Sequence, residues 1–192
     1  MADNYLERKM EDLRSGKTQK PGSRRTSAAV SAASRHPGDY TLSYPELRVF
    51  VCGDATSPLG RAIVAALREV GLKVAFSGTD KQAGEEMARS LGAQFHPLAD
   101  PTDNDRLALT AAYTLRHWRS IDAVVAIGFR PAFHTPSLRT ITLLPPSSTP
   151  SPAAIPLQDA SAAQIACLVR LLLSPDASPL PSILEICADF AL

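Results

Sequence analysis

The sequence predicts an α/β protein whose core is a doubly wound, mostly parallel sheet of about six strands. From residue 47 onward, short apolar runs alternate with longer segments in which apolar residues recur at helical spacing. The short runs are apolar on both faces, which is typical of parallel strands covered by helices on each side. Because helical segments separate most of these runs, right-handed crossovers and a doubly wound sheet are expected.

The predicted strands share a short apolar run bounded by polar, glycine or proline residues: 47–52, 73–77, 93–98, 121–127, 139–144 and 183–188. The predicted helices share an apolar stripe and a capping signal: 57–71, 81–91, 104–118 and 159–173. In the first helix Ser57 is the N-cap, Pro58 suits the first position, and Gly71 ends the helix in the left-handed conformation. In the third helix the face expected to be buried consists of Leu107, Ala111, Leu115 and Trp118.

The alternation of strands and helices breaks after the fourth strand. Residues 128–138 separate it from the fifth strand, and Pro131 and Pro136 leave no room among them for a proper helix. A parallel crossover normally needs about a dozen residues or more, usually helical. We expect either a compact irregular arch or an unusual pairing of the fifth strand. The Pro/Ser-rich residues 145–156 are predicted to be a loop.

Residues 1–46 and 47–192 differ in character, which predicts an N-terminal arm and a separate domain. A short helix is predicted over 3–14. A flexible linker is predicted over 16–35, which has five basic residues, no acidic residue and little apolar content. The basic charge of this linker is dilute and has no interleaved aromatic residues, so nucleic acid is not an expected partner.

Composition excludes several other classes of protein. The 192 residues carry a formal net charge of +1, which gives no overall field toward nucleic acid or a membrane surface. No apolar run reaches the roughly 20 residues of a membrane span, and the N-terminus has no apolar signal-peptide core. The three cysteines are far apart, which predicts neither a disulfide framework nor a metal site; Cys52 and Cys187 lie in apolar runs and are expected to be buried. We expect a cytoplasmic protein with no membrane partner.

The loop after the first strand reads Gly53-Asp-Ala-Thr-Ser-Pro-Leu-Gly60. A strand, a turn containing glycine and a helix start are typical of a dinucleotide-binding site, where a pyrophosphate rests on free backbone N–H groups at the helix N-terminus. Here Asp54 adds a negative charge, and Pro58 removes a donor and adds a ring. The loop therefore has the order of a nucleotide site but altered chemistry.

From Leu47 to the C-terminus the chain resembles the short-chain dehydrogenase/reductase superfamily, which implies a Rossmann-like fold. The 53–60 loop is similar to the family's Thr-Gly-x-x-x-Gly-Ile-Gly turn, with Gly60 at the last glycine and Asp54 and Pro58 at the two others. Further segments resemble family elements in the same order: 83–93 before the third strand, Asp100-Pro-Thr-Asp103, 121–129 at the fourth strand, 138–146 at the family's sixth strand, and the last helix and strand.

The resemblance implies a place for a weakly bound NAD(P) and no metal. The residues at the matching cofactor-binding positions are Gly53, Ser57, Leu59, Gly60, Thr79, Asp100 and Gly128. In the family, the residue at the position of Asp100 contacts the adenine amino group. Gly78 stands where a member that prefers NAD has an aspartate, and Thr79 and Lys81 are compatible with a 2′-phosphate.

The family has a catalytic segment in the middle of its chain, which consists of a strand with a serine and a helix with Tyr-x-x-x-Lys. This sequence has no counterpart of that segment at the corresponding place. Tyr113 is followed four residues later by His117, and Tyr5, Tyr40 and Tyr44 lie in the N-terminal arm. Carbonyl reduction in the family needs a phenol that a nearby lysine activates as a general acid. We therefore expect the chain to hold no Tyr-x-x-x-Lys and no catalytic residue.

Three functional hypotheses remain open from the sequence. The first is a catalytically degenerate short-chain dehydrogenase-like protein that binds a nucleotide weakly at most and acts by association. The family uses its last helix and strand as a subunit interface, which implies a homo-oligomer through residues 159–192. The second is an NADP-dependent oxidoreductase with a rearranged site in the 128–138 arch, where His134 or a partner's residue supplies the acid. The third is a regulatory subunit of a full-length dehydrogenase paralogue.

Other polar residues have simpler interpretations. His96 is expected to be a polar residue at a strand end. His117 is expected to close a helix, where a cation complements the helix dipole. Asp103 and Asp105 are expected to cap a helix rather than to bind a metal.

Overall fold

The computed structural model describes residue 44 and residues 46–133, 138–145, 154–174 and 181–189. These residues all belong to the second of the two units into which the chain divides, 42–192. The helix predicted over 3–14 and the linker predicted over 16–35 lie outside the described residues.

The described residues form one seven-stranded sheet and four helices. The strands are β1 (Arg48–Cys52), β2 (Lys73–Gly78), β3 (Gln94–Pro97), β4 (Ala123–Ile127), β5 (Arg139–Leu144), β6 (Ile155–Leu157) and β7 (Ile183–Ala188). The helices are α1 (Pro58–Glu69), α2 (Lys81–Leu91), α3 (Asn104–Trp118) and α4 (Ala162–Leu173). The strands pair in parallel in the order β3-β2-β1-β4-β5-β7-β6. The predicted doubly wound α/β fold is confirmed.

The ends of the helices follow local capping chemistry. Ser57 caps α1 through its side chain, and Gly71 after that helix has φ +81°, as predicted. The fourth helix starts later than predicted from residue 159. Ser161 is its N-cap and forms a capping box with Gln164, while Asp159 has a positive φ of 53° and lies before the helix.

The prediction of a loop over 145–156 is wrong at the C-terminal end of this segment, where Ile155–Leu157 forms an additional strand. This strand, β6, lies at the edge of the sheet and pairs only with β7, with Pro156 opposite Cys187. Proline cannot donate a ladder hydrogen bond and is tolerated at a sheet edge. The same proline and serine content that favours a loop is therefore compatible with a short edge strand.

The short connection between β4 and β5 joins neighbouring parallel strands. Val125 lies opposite Ile141 in the register of this pair. Residues 128–133 and 138, the described part of the connection, contain no helix. This agrees with the compact irregular arch, the first of the two expectations.

The core has two layers, one on each face of the sheet. Alternate residues of β1 face opposite sides: Val49 and Val51 pack in the layer that contains α1 and α4, and Phe50 packs in the layer that contains α3. The largest buried apolar residues of the first layer include Phe76, Ile63, Leu67, Ile141 and Ile165. The helices on these faces therefore hold the carboxyl ends of β1 and β4 at a common edge.

One predicted core residue of α3 is exposed. Leu107 and Trp118 are buried as expected, but Leu115 is 46 % exposed. The helix faces the sheet through Leu107, Thr114 and Trp118, and the Thr114 side chain is fully buried. This buried line is narrower than the predicted stripe, and Leu115 lies beside it.

Candidate functional site

The candidate site lies where the carboxyl ends of β1, β2 and β4 meet the N-terminus of α1. β1 has β2 on one side and β4 on the other, so the chain order reverses beside it. In open parallel sheets such a switch point leaves a crevice outside the strand ends, where ligands bind. The predicted cofactor-binding residues that follow these three strands are Gly53, Ser57, Leu59, Gly60, Thr79 and Gly128. Asp100 follows β3, further along the same edge.

Two glycines of the turn between β1 and α1 are required by close packing. Gly53 has φ +102°, and a Cβ there would lie 2.4 Å from the Ile127 carbonyl oxygen of β4. A Cβ on Gly60 would lie 2.3 Å from Ala55 Cα and 2.6 Å from the Ala55 carbonyl oxygen. Both distances are shorter than any real side chain tolerates. These glycines let strand, turn and helix approach each other, which is the packing role of glycine in nucleotide-binding turns.

Most of the backbone N–H groups in the first turn of α1 are already hydrogen-bonded within that turn. Pro58 has no N–H. The Gly60 N–H donates to Ser57 Oγ at 3.3 Å, and the Arg61 N–H donates to the Ser57 carbonyl at 2.9 Å. The Leu59 N–H is the donor of this turn to which the described residues supply no acceptor. A phosphate at this helix start would meet one available N–H rather than the several of a glycine-rich turn.

The Asp54 carboxylate joins this turn to the residue that follows β2. Its Oδ1 accepts hydrogen bonds from the Thr56 N–H at 3.1 Å, from the Thr79 N–H at 3.4 Å and from the Thr56 hydroxyl. Its Oδ2 accepts from the Thr79 hydroxyl at 3.3 Å. A carboxylate of the chain itself therefore occupies both donors of Thr79, a residue at a position compatible with a 2′-phosphate.

Gly78 leaves room for the Asp54–Thr56 turn. A Cβ at residue 78 would lie 2.7 Å from Thr56 Cγ2 and 3.2 Å from Asp54 Oδ1. An aspartate at this position would also bring a second carboxylate close to Asp54, and the like charges would repel. The position that carries an aspartate in NAD-preferring members is therefore constrained here by Asp54.

Arg61 stabilises the turn without forming an ion pair with Asp54. Its Nε donates to the Thr56 carbonyl at 2.8 Å, and its side chain is exposed. The guanidinium therefore places a positive charge beside the N-terminus of α1. The described residues contain no salt bridge between Arg61 and Asp54, so the two charges share the turn without direct contact.

Asp100 lies in an exposed turn after β3 and binds its own loop. Its Oδ1 accepts the N–H and the hydroxyl of Thr102, both at 2.8 Å. The bond from the Thr102 N–H, followed by that from its hydroxyl, holds the pKa of the Asp100 carboxyl below its ordinary value. Oδ2 makes no hydrogen bond to the described residues, so it is the oxygen that the adenine contact implied by the resemblance would use.

Gly128 directly follows β4, and its backbone bonds to the neighbouring strand β5. It has φ +86°, and its N–H donates to the Leu143 carbonyl of β5 at 2.8 Å. Ala126 and Ile127, the last two residues of β4, are buried. The Gly128 amide is therefore committed to the sheet, and the two preceding side chains pack in the core layers on opposite faces of the sheet.

The arch after β4 is held by an ion pair that sequence reasoning missed. Arg130 Nε donates to Glu185 Oε1 at 2.7 Å, and the second contact joins Arg130 Nη2 and Oε2 at 3.1 Å. These bonds raise the pKa of the Arg130 guanidinium. The Glu185 side chain is only 10 % exposed. A glutamate within the apolar run 183–188 signals a buried carboxylate that needs a partner, but the sequence does not identify that partner.

β5 lies next to β4 and presents hydroxyl groups to the face that contains α3. Thr140 and Thr142 are 4 % and 2 % exposed and alternate with Ile141 and Leu143, which belong to the opposite core layer. Thr140 Oγ1 is buried and has no hydrogen-bond partner within the described residues. Thr142 lies opposite Glu185 of β7 in the parallel register, and that carboxylate is engaged by Arg130.

The tyrosines of the described residues have structural contacts away from the switch point. The ring of Tyr113 meets His96 edge to face, with ring centres 5.9 Å apart. The Tyr44 hydroxyl donates to the Arg170 carbonyl of α4 at 3.1 Å. Neither contact resembles the pairing of a phenol with a lysine.

One expectation about the catalytic pair is wrong in the sequence itself. Tyr5 and Lys9, in the segment Tyr-Leu-Glu-Arg-Lys, have the Tyr-x-x-x-Lys spacing. Both residues belong to the N-terminal arm, outside the part that resembles the family and outside the described residues. His134, the histidine considered as an acid in the arch, also lies outside the described residues.

His96 has the structural role that the sequence predicts. Its Nε2 lies 3.2 Å from the Thr114 hydroxyl, which itself donates to the Thr110 carbonyl at 2.9 Å. Because its one hydrogen is used in this way, the hydroxyl oxygen accepts a hydrogen bond from the Nε2–H of His96. Burial lowers the pKa of the His96 imidazole, so the neutral ring is favoured in this position.

The part of the chain that the structure describes offers neither a metal site nor a membrane span. It contains no group of three or more His, Cys, Asp or Glu side chains able to hold a metal ion. It also has no helix of the length and apolar character needed to cross a bilayer. An open groove of about 540 Å³ runs between α1 and α4, but it is lined mainly by alanines and by the paired Glu69 and Arg170.

No family model matches the sequence, but the fold is similar to solved structures. A short-chain dehydrogenase/reductase of the glucose/ribitol dehydrogenase type from Brucella melitensis is 16 % identical over 76 % of this chain and 97 % of its own, with a TM-score of 0.58. A short-chain dehydrogenase/reductase from Serratia marcescens is 13 % identical over 74 % of this chain and 96 % of its own, with a TM-score of 0.51.

A third similar structure holds a nucleotide. BdcA, an Escherichia coli protein, in complex with NADPH is 13 % identical over 76 % of this chain and 94 % of its own, with a TM-score of 0.50. At these identities the likeness is one of fold. The predicted resemblance is thus confirmed at the level of architecture: the chain has the fold of the short-chain dehydrogenases/reductases.

Proposed function

We propose that this chain is a catalytically degenerate short-chain dehydrogenase-like protein of the cytoplasm, which binds NAD(P) weakly at most and acts by association. The observation that carries the proposal is the Asp54 carboxylate, bonded to the donors of Thr56 and Thr79. Thr79 is one of the positions where the resemblance implies a contact to the nucleotide, and Thr56 lies in the turn that would receive its phosphates. A nucleotide must displace this carboxylate or bind beside it.

The electrostatic cost of binding beside Asp54 is large enough to matter. Two unit charges about 4 Å apart interact by about 1 kcal/mol in water and about 4 kcal/mol at the effective dielectric of a protein surface. Each 1.4 kcal/mol changes a dissociation constant about tenfold. A phosphate beside Asp54 is therefore disfavoured by about one to three orders of magnitude relative to a neutral side chain.

Removal of this charge should favour NADPH over NADH. Thr79 would regain two donors, and Arg61 and Lys81 would supply positive charge near a 2′-phosphate. Arg61 is exposed, and the Lys81 ammonium lies 3.9 Å from Glu85 in an exposed pair that costs little to break. BdcA, which has a similar fold, is known in complex with NADPH; this supports nicotinamide nucleotides as the ligands to test.

The association is proposed to use residues 159–192, as the resemblance implies. Two large apolar side chains of this segment support it: Leu171 of α4 is 45 % exposed and Ile183 of β7 is 47 % exposed. Exposed apolar residues near a sheet edge and its covering helix are suitable for a second subunit. The partner is a second copy, and a paralogous dehydrogenase subunit is the alternative.

The nucleotide part of the proposal is tested by titrating NADPH and NADH fluorescence with the full chain and its Asp54→Asn variant. Asparagine keeps an acceptor oxygen for the loop and removes the charge. We expect weak binding by the parent and at least about tenfold tighter binding of NADPH by the variant. Asp103→Asn is the matched control, because asparagine caps a helix as well as aspartate does. Tight binding by the parent that Asp54→Asn leaves unchanged would contradict the proposal.

The catalytic part is tested by following NADPH oxidation with a panel of aldehydes and ketones. The full chain is expected to give no rate above that of the coenzyme alone. Saturable turnover would overturn the proposal in favour of an NADP-dependent oxidoreductase with a rearranged site. Because Tyr5 and Lys9 retain the family's spacing, Tyr5→Phe is the variant to examine if turnover is found.

A further inference from the structure

Helix α3 exposes apolar side chains on the face that points away from the sheet. Leu109 is 71 % exposed and Leu115 is 46 % exposed. Ala108, which precedes Leu109, and Ala112, which lies between the two leucines, are also exposed. A helix that only covered the sheet would carry polar residues on this face. The exposed face therefore has the composition of a contact surface.

The outermost line of this face has the spacing of a helix–helix seam. Asp105, Leu109, Ala112 and Arg116 follow one another at intervals of four, three and four residues, which keeps them on one side of a helix. Asp105 and Arg116 are exposed at the two ends of the line. Neither forms a salt bridge within the described residues.

We propose that α3 pairs with α3 of a second copy of this chain, antiparallel about a two-fold axis that passes between residues 110 and 111. In this pairing Asp105 meets Arg116 of the partner subunit at each end of the seam. Leu109 meets the partner's Ala112 at the centre. Each contact occurs twice, as in any two-fold interface.

The sizes of the side chains agree with this register. The large Leu109 faces the small Ala112 of the partner subunit. On one flank of the seam, Leu115 faces the small Ala108 of the partner subunit. Large side chains opposite alanines let two helices approach closely and interdigitate, as in left-handed helix pairs.

The charges select a second copy in the antiparallel orientation as the occupant. A parallel pair would bring Asp105 against Asp105 and Arg116 against Arg116 of the partner subunit, and both contacts are repulsive. The antiparallel pair converts both into attractive contacts. α3 has 15 residues and is about 22 Å long, so this seam alone is smaller than the roughly 1,000 Å² of a stable interface. The dimer is therefore weak and concentration-dependent.

This surface is independent of the nucleotide site and of residues 159–192. Sedimentation velocity of the full chain over a range of concentrations tests it with the variants Asp105→Arg, Arg116→Asp and the double exchange. Each single exchange places like charges opposite each other twice. We expect each to weaken self-association by about tenfold or more, and the double exchange to restore it.

The same sedimentation experiment includes a control variant and can contradict the proposed pairing of the α3 helices. Arg89→Asp reverses a charge in the last turn of α2, as Arg116→Asp does in α3, and should leave association unchanged. Circular dichroism melting confirms that each variant is folded. A chain that is monomeric at all concentrations overturns the proposal. So does association that the single exchanges leave unchanged, or a double exchange that associates no better than the single ones.

Discussion

Asp54 and Thr79, 25 positions apart in the chain, are joined by two hydrogen bonds across the carboxyl ends of β1 and β2. The Thr79 N–H donates to Oδ1, and the Thr79 hydroxyl donates to Oδ2. Thr56 donates to the same Oδ1 from within the turn. A single carboxylate therefore links the turn before α1 to the end of the neighbouring strand. The carboxylate that we propose disfavours a phosphate thus also contributes to the folded structure.

The first prediction concerns this stabilising role. Asp54→Ala removes the acceptor for Thr56 and Thr79 and should lower the free energy of unfolding by about 1–2 kcal/mol. Asp54→Asn retains one acceptor oxygen and should cost less than half as much. Urea denaturation of the full chain measures both. Equal stability of the alanine variant and the parent would show that the bonds to Asp54 contribute nothing net.

The second prediction compares alanine substitutions at two glycines that have different surroundings. Gly60→Ala would bring a Cβ to 2.3 Å from the Ala55 backbone and should destabilise the fold by about 2–4 kcal/mol. Gly71→Ala meets no atom within 4 Å and carries only the cost of its positive φ, about 1–2 kcal/mol. Thermal or urea unfolding compares them. A smaller loss for Gly60→Ala than for Gly71→Ala would contradict the packing described for the turn.

The third prediction concerns the ion pair that ties the arch to β7. A double-mutant cycle of Arg130→Ala and Glu185→Ala should give a coupling of about 1–3 kcal/mol, because the bonds are charge-assisted and Glu185 is mostly buried. Glu185→Ala should be the more tolerated single change, since it leaves the cation on the exposed side. The free energies of unfolding of the four proteins give the coupling. A coupling free energy near zero would show that the ion pair does not stabilise the arch.

The fourth prediction concerns pH. Burial lowers the pKa of His96 in the folded state, so in acid the unfolded chain binds more protons at this site than the folded chain. The stability associated with the neutral ring is present above the ordinary histidine pKa of about 6.5 and is lost as pH falls through the lower folded value. His96→Gln should reduce the fall in unfolding free energy between neutral and mildly acidic pH. His117→Gln, an exposed histidine of α3, is the control. An unchanged pH profile in His96→Gln would contradict this assignment.

Local patterns predicted those parts of the fold that depend on neighbouring residues. The bounds of α2 and α3 and the cap of α1 follow from Asp80, Asp103 and Ser57, whose side chains bind N–H groups two or three residues further on. The doubly wound parallel sheet followed from the alternation of apolar runs with helical segments, which implies right-handed crossovers. These features need no information from distant parts of the chain.

The features that the sequence did not reveal depend on distant contacts. The partner of Glu185 lies 55 positions away, and the second donor group of Asp54 lies after another strand. β6 forms only because β7 offers an edge to a segment rich in proline and serine. Leu115 is exposed because α3 faces the sheet through Leu107, Thr114 and Trp118, and Leu115 lies beside this buried line. In each case tertiary contacts outweighed local composition.

The central claim, that the Asp54 carboxylate takes the place of nucleotide contacts, is tested most directly by amide NMR spectra of the full chain titrated with NADPH. In the parent protein, the Thr56 and Thr79 amide signals should change little on addition of NADPH. In Asp54→Asn the same two signals should shift progressively and saturate, because the amides are then available to the ligand. Saturating shifts of the Thr79 amide in the parent, equal to those in the variant, would contradict the account.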